Sequence, residues 1–223
     1  YADVPVTVLE QPRPRPRIVG IVWDASGSGA TRDHVREMAL LDAYLRWLGE
    51  ADIRLSVVRD AAEPVRRFRV AQGQWTTLRA ALETLPYDGG TALGSFVPER
   101  EVEEYLLFSD GLSNFGARTF PRMTQPLHAI SSAVRSDHDS LRDQAHASGG
   151  RYVDLIAEDT ASAARKLVFQ STRVGGLRAT GVTDLVLASP HPEHGRLVLA
   201  GRLTAAAGMV SVALERPTRD DAL

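Results

Sequence analysis

Asp24-Ala25-Ser26-Gly27-Ser28 sets one carboxylate and two hydroxyls at alternate positions of a short stretch, and two similar groups lie further along, Gly89-Gly90-Thr91 and Ser109-Asp110-Gly111. All three offer hard oxygen atoms. Magnesium takes an octahedron of oxygens at about 2.0–2.1 Å, keeps several waters and accepts only one or two carboxylates from a protein. The alternation lets Ser26 and Ser28 turn their hydroxyls to one centre, while Asp24 accepts hydrogen bonds from metal-bound water. Because most direct ligands would be neutral, the ion keeps positive charge for an incoming carboxylate. Gly27, Gly90 and Gly111 lack side chains and so leave room for close approach to the ion, by backbone and by a partner.

Such oxygens must be brought together by the elements they follow. Ile18 to Trp23 is a continuous apolar run, as expected of a parallel strand buried on both faces, and it stops at Asp24. Thr31 can cap a helix in which Val35, Met38, Leu41, Leu45 and Leu48 recur at helical spacing, ending near Gly49. The alternation continues: strands at Ile53–Val58, Val65–Val70, Tyr105–Ser109, Leu127–Ser131 and Arg151–Ile156, and helices at Trp75–Leu85, through Leu141–Ala147, and at Thr160–Phe169. It implies a mostly parallel sheet with helices on both faces, whose ligands gather beyond the carboxyl ends of the strands. Past residue 172 the texture changes to short strands at Leu177–Thr180, Leu185–Leu187, Leu197–Leu199 and Met209–Leu214, a small all-β segment that is expected either to pair with residues 3–9 or to be completed by an N-terminal partner outside this sequence. The expected division is therefore a strand and Pro/Arg linker over 1–16, an α/β domain over 17–171 and a β-rich appendage over 172–223.

The D-x-S-x-S loop, the Thr and the Asp, in that order, resemble the metal ion-dependent adhesion site (MIDAS) of the von Willebrand factor A family. All five positions match over a stretch of roughly 17–170. The resemblance implies a Rossmann-like domain in which Ser26, Ser28 and Thr91 are direct or near-direct ligands, and Asp24 and Asp110 contact the ion directly or through water. It also implies binding of magnesium, or manganese or calcium, and through it of a protein partner offering an Asp or Glu. The sequence departs from the family at Gly29, where many members carry Met; no ligand is lost. Pro190 to Leu203 is similar to the β segment that follows the A domain in inter-alpha-trypsin inhibitor heavy chains and bacterial proteins of the same layout, in which a VIT domain comes first. That likeness implies a piece of a larger protein that is secreted, periplasmic or membrane-anchored.

Composition narrows the field. With 43% apolar and 24% charged residues the chain can bury a core, and a net charge of -2 gives no basis for nucleic-acid binding. Zero cysteines exclude thiolate catalysis and disulfides, and no apolar run approaches the roughly 20 residues of a membrane span, so insertion of this stretch into a bilayer is not expected. Enzymatic readings fit less well. A phosphohydrolase using Asp24 as nucleophile usually carries a second Asp two positions on, where Ser26 stands; Ser26 does not lie in a G-x-S-x-G elbow, and no G-x-x-x-x-G-K-[ST] loop exists. The remaining rival is a module whose metal only staples loops together. His191-Pro192-Glu193-His194 lies between short strands and reads as a solvated turn. His128, His138 and His146 are isolated, and Trp23, Trp47 and Trp75 read as core.

Overall fold

The computed structural model describes residues 1–116 and 119–217, and the chain divides into two compact units: Pro14–Val168, and Tyr1–Arg13 together with the segment from Phe169 onward. The first unit is built on a six-stranded sheet whose spatial order is β5-β4-β3-β6-β7-β8. Its strands are β3 (Ile18–Asp24), β4 (Ala51–Val58), β5 (Arg66–Val70), β6 (Glu104–Phe108), β7 (Leu127–Ser131) and β8 (Tyr152–Asp154). All neighbours run parallel except β5, which pairs antiparallel with β4 at one edge.

The central strands are apolar on both faces because both faces are covered. On one side Val19, Ile21, Trp23, Leu106 and Phe108 pack against the helices α1 (His34–Leu48), α2 (Thr76–Glu83) and α4 (Thr160–Val168). On the other, Val22, Tyr105, Leu107 and Ala129 pack against Leu141 and Ala145 of α3 (His138–Ala147) and against Leu93, Phe96, Phe120 and Met123 from long connections. Gly20 makes room at the centre of β3: a Cβ there would stand 2.1 Å from the ring of Tyr105 on the neighbouring strand. That ring is held at its far end, where the Tyr105 hydroxyl accepts a hydrogen bond from the Glu99 amide at 2.7 Å, and burial pushes its pKa up to about 12.

The helix after β3 begins later than the sequence suggests. Asp33, not Thr31, is its cap, accepting from the Arg36 amide at 3.1 Å, while Thr31 closes a 3-10 turn over Ser28–Thr31 and donates to the Ser28 carbonyl. Val35 is 81% exposed and is no part of the core; the buried stripe consists of Glu37, Met38, Leu40, Leu41, Tyr44, Leu45 and Leu48. The delay comes from the polar groups of residues 24–33, whose hydrogen bonds hold that stretch as a loop with a 3-10 turn of its own.

The second unit consists of short antiparallel pairings. β1 (Ala2–Pro5) adds to β12 (Arg196–Leu203), which also pairs with β11 (Val182–Leu187); β10 (Arg173–Thr180) pairs with β13 (Met209–Glu215), and β2 (Glu10–Pro12) with β9 (Phe169–Ser171). The N-terminal residues thus complete sheets of the C-terminal segment, and the boundary falls between Val168 and Phe169, three residues before the expected one. Residues 218–223 of the expected appendage lie outside the described residues.

Candidate metal site

Beyond the carboxyl end of β3 the chain stays close to its neighbours. Ala25 donates to the Val58 carbonyl at 2.9 Å, Asp88 to the Ala25 carbonyl at 3.1 Å, and Gly27 to the Gly89 carbonyl at 3.1 Å, so the D-x-S-x-S loop and the glycine loop are laced by backbone bonds. Gly89 has φ +74, a left-handed conformation that a side chain would strain, and the next amide, Gly90, donates to Asp60 Oδ1 at 2.6 Å. This lacing delivers Thr91 to the sheet end where Asp24 lies.

Asp24 is fully buried. Its Oδ1 accepts from the Ser26 amide at 3.0 Å and its Oδ2 from the Ser109 hydroxyl at 2.6 Å, which leaves lone pairs on both oxygens for a further donor such as water. Ser26 Oγ and Ser28 Oγ lie 3.2 Å apart, on one side of the loop, as alternate positions should. Asp110 is 2% exposed and caps its own turn, its Oδ1 accepting from the Leu112 amide at 2.9 Å. Thr91 is 0% exposed, and its hydroxyl oxygen has no hydrogen-bond partner among the described residues. A buried polar atom without a partner costs about 1–3 kcal/mol, so such an atom is informative where it occurs. Here it belongs to one of the five residues matching the D-x-S-x-S, Thr and Asp pattern.

Of the three glycines expected near an approaching partner, Gly27 is exposed and Gly90 partly so, but Gly111 is not placed for such contact. It is buried with φ +75, and a Cβ there would meet Leu141 Cγ at 2.9 Å; its place is against α3. Gly29 is also explained, since a Cβ would stand 2.9 Å from the Asp24 carbonyl and 3.1 Å from the Tyr87 ring.

Several residues take roles around this site that the sequence pattern did not give them. Ser109 bridges two loops, donating to Asp24 and accepting from the Gly111 amide at 3.0 Å; a hydroxyl at the end of an otherwise apolar strand is the signal for it. Arg32 is buried beneath the loop. Its Nη1 donates to the Asp24 carbonyl at 2.6 Å, its Nε to Glu37 at 2.8 Å, and its guanidinium lies 5.2 Å from the Trp23 ring centre. Burial pushes the Glu37 carboxyl up, but the Arg32 charge and hydrogen bonds from His34 and Ser132 outweigh it, and the net pKa is lowered from its ordinary value. Trp23 in turn donates to the Tyr87 hydroxyl at 2.9 Å.

Among the described residues no three His, Cys, Asp or Glu side chains converge as a metal cluster. The candidate set is of a different kind, two carboxylates with three hydroxyls, which suits a hard cation that retains water. His191 to His194 lie in the turn joining β11 to β12, with His194 at φ 51. Trp23 and Trp75 are buried and Trp47 packs partly buried against the core.

No family model matches the chain, and no curated protein matches it. Solved structures do. An aerotolerance-related membrane protein from Bacteroides fragilis aligns at 14% identity with a TM-score of 0.51, covering 68% of this chain and 96% of that one. Proximal thread matrix protein 1 from the mussel byssus, described with a zinc-occupied MIDAS motif, aligns at 12% identity with a TM-score of 0.51, covering 74% of this chain and 49% of that one. A von Willebrand factor type A from Catenulispora acidiphila aligns at 17% identity with a TM-score of 0.47, covering 94% of this chain and 60% of that one. At these identities the likeness is one of fold. That fold is a Rossmann-like α/β architecture, a central and mainly parallel sheet between helices, here with a small C-terminal all-β segment.

Proposed function

We propose that this chain binds a divalent cation through Ser26, Ser28, Thr91, Asp24 and Asp110, and through that ion an acidic side chain of a partner protein. The observation that carries the reading is the buried Thr91 hydroxyl, without a partner among the described residues. The shared fold of the mussel byssus protein with zinc in its MIDAS motif supports it. When bound, the cation supplies a positive centre that accepts a carboxylate oxygen from outside. The chain's own residues do the rest. Ser109 and the Ser26 amide fix the rotamer of Asp24, the Leu112 amide fixes Asp110, and Gly27 beside the two serines is exposed. Magnesium is the ion that the oxygen set suits, with manganese or calcium as substitutes.

An Asp24 nucleophile is not favoured. Its side chain is buried with both oxygens already accepting, and Ser26 stands where phosphoryl-transfer chemistry of that kind usually has a second Asp. We infer a binding module of the extracellular or periplasmic face, free or membrane-anchored, from the resemblance to proteins of that layout; among the described residues no helix is long and apolar enough to cross a membrane. Calorimetry with magnesium and manganese tests the reading. About one ion per chain, lost in Asp24→Ala and in the Ser26→Ala, Ser28→Ala double variant, is the expected result; binding indifferent to those changes removes it.

A further inference from the structure

The peptide units around Thr91 are held by a segment on another loop. The Thr91 amide donates to Asn114 Oδ1 at 2.9 Å. The Thr91 carbonyl accepts three hydrogen bonds, from the Asn114 amide at 3.0 Å, the Phe115 amide at 3.1 Å and the Ser113 hydroxyl at 3.0 Å. Ser113 Oγ also accepts from the Leu93 amide at 3.2 Å, so the segment reaches across residues 91–93. The backbone of Thr91 is therefore satisfied on both sides by Ser113, Asn114 and Phe115, while its hydroxyl, fully buried, has no partner among the described residues.

That segment begins at Asp110. The turn is stiff: the Leu112 amide donates to Asp110 Oδ1 at 2.9 Å, the Ser113 amide to the Gly111 carbonyl at 3.0 Å, and Gly111 is confined against α3. Asp110 and the clamp on Thr91 are thus one short piece of chain. Residues 19 positions apart in sequence are thereby tied together, since four hydrogen bonds join the Thr91 peptide units to the segment that follows Asp110.

We propose that Asn114, assisted by Ser113, is a positioning residue for the candidate cation site: it aims the Thr91 hydroxyl by holding its peptide units, and so couples Thr91 to Asp110. This rests on the cation-binding reading above. Residues that orient metal ligands without touching the metal typically change affinity by about 10–100-fold when removed. Because Asn114 acts through Thr91, its effect must vanish when the Thr91 hydroxyl is absent, whereas a general loosening of the site lowers affinity whether or not that hydroxyl is present.

The test is a double-variant cycle on the full chain with Mn2+ as probe, its free concentration read by electron paramagnetic resonance, which extends to weak binding. Asn114→Ala is expected to weaken Mn2+ binding about tenfold in the native background, and by less than about twofold in a Thr91→Ala background. Native affinity in Asn114→Ala, or the same tenfold loss in both backgrounds, overturns the proposal. Circular dichroism melts report whether each variant is folded; if Asn114→Ala is not, the same cycle with Ser113→Ala decides, with a smaller loss of the same pattern expected. Native chain that binds Mn2+ with both clamp variants unaffected removes this inference alone. Native chain that binds no Mn2+ removes the cation reading and this inference together.

Discussion

At the scale of single residues, buried polar groups around the site hold one another, while the Thr91 hydroxyl and one nitrogen each of Arg32 and His34 have no hydrogen-bond partner among the described residues. Arg32 and Glu37 form the clearest pair: both side chains are 0% exposed, and together they carry the Asp24 carbonyl, His34 and Ser132. Glu37 has its pKa lowered from 4.5 in the folded chain, so it contributes stability that is present above that value and is lost as pH falls through the folded-state pKa. Denaturant midpoints measured from pH 7 downward are expected to fall less steeply below about pH 4.5 in Glu37→Gln than in the native chain. At pH 7 the same variant leaves Arg32 buried without its counter-charge, a loss on the order of 3–5 kcal/mol. An unchanged acid limb sinks the assignment. The oxygens that match the D-x-S-x-S, Thr and Asp pattern were legible in the sequence because residue type and order define the pattern. Arg32 and Asn114 were not, and of Ser109 the hydroxyl was legible but not its bond to Asp24, since each works by reaching a backbone or carboxyl group that only the folded chain brings near.

Elements were legible wherever an apolar period was long. The run Ile18–Trp23 reads as a strand buried on both faces and is one, with its odd and even residues entering separate core clusters. Helix α1 was legible in its middle and not at its start, because Thr31 and Asp33 are both acceptable caps by type and only the geometry of the preceding loop chooses between them. The choice can be checked by thermal or chemical unfolding. Asp33→Ala is expected to cost about 0.5–2 kcal/mol, the usual range for loss of a helix cap, while Thr31→Ala stays within about 0.5 kcal/mol, as exposed substitutions away from such features do. The reverse order would restore Thr31 as the cap. Val35 was misread for a related reason: helical spacing alone does not tell which of several faces a short apolar set belongs to when Glu37, a charged residue, takes one of the core positions.

On the scale of the whole molecule, the five candidate ligands and both core clusters fall within Pro14–Val168. A chain of residues 14–168 is therefore expected to unfold cooperatively and to bind manganese as the full chain does; aggregation of that piece, or loss of the ion, would show that the remaining strands are needed. The change of texture past residue 172 was legible, but the return of residues 2–5 and 10–12 to complete distant strands was expected only in outline, because pairings between chain ends leave no local mark in the sequence. The edges of the six-stranded sheet carry a further consequence. One edge, β5, sets Arg66, Arg67 and Arg69 along five residues, and the other, β8, is three residues long. Unpaired strand edges invite a strand from another molecule; cations in a row and extreme shortness both discourage it. The sheet is thus poorly suited to recruit partners, or further copies of itself, by extending its hydrogen-bond ladder sideways, which protects it from edge-to-edge aggregation.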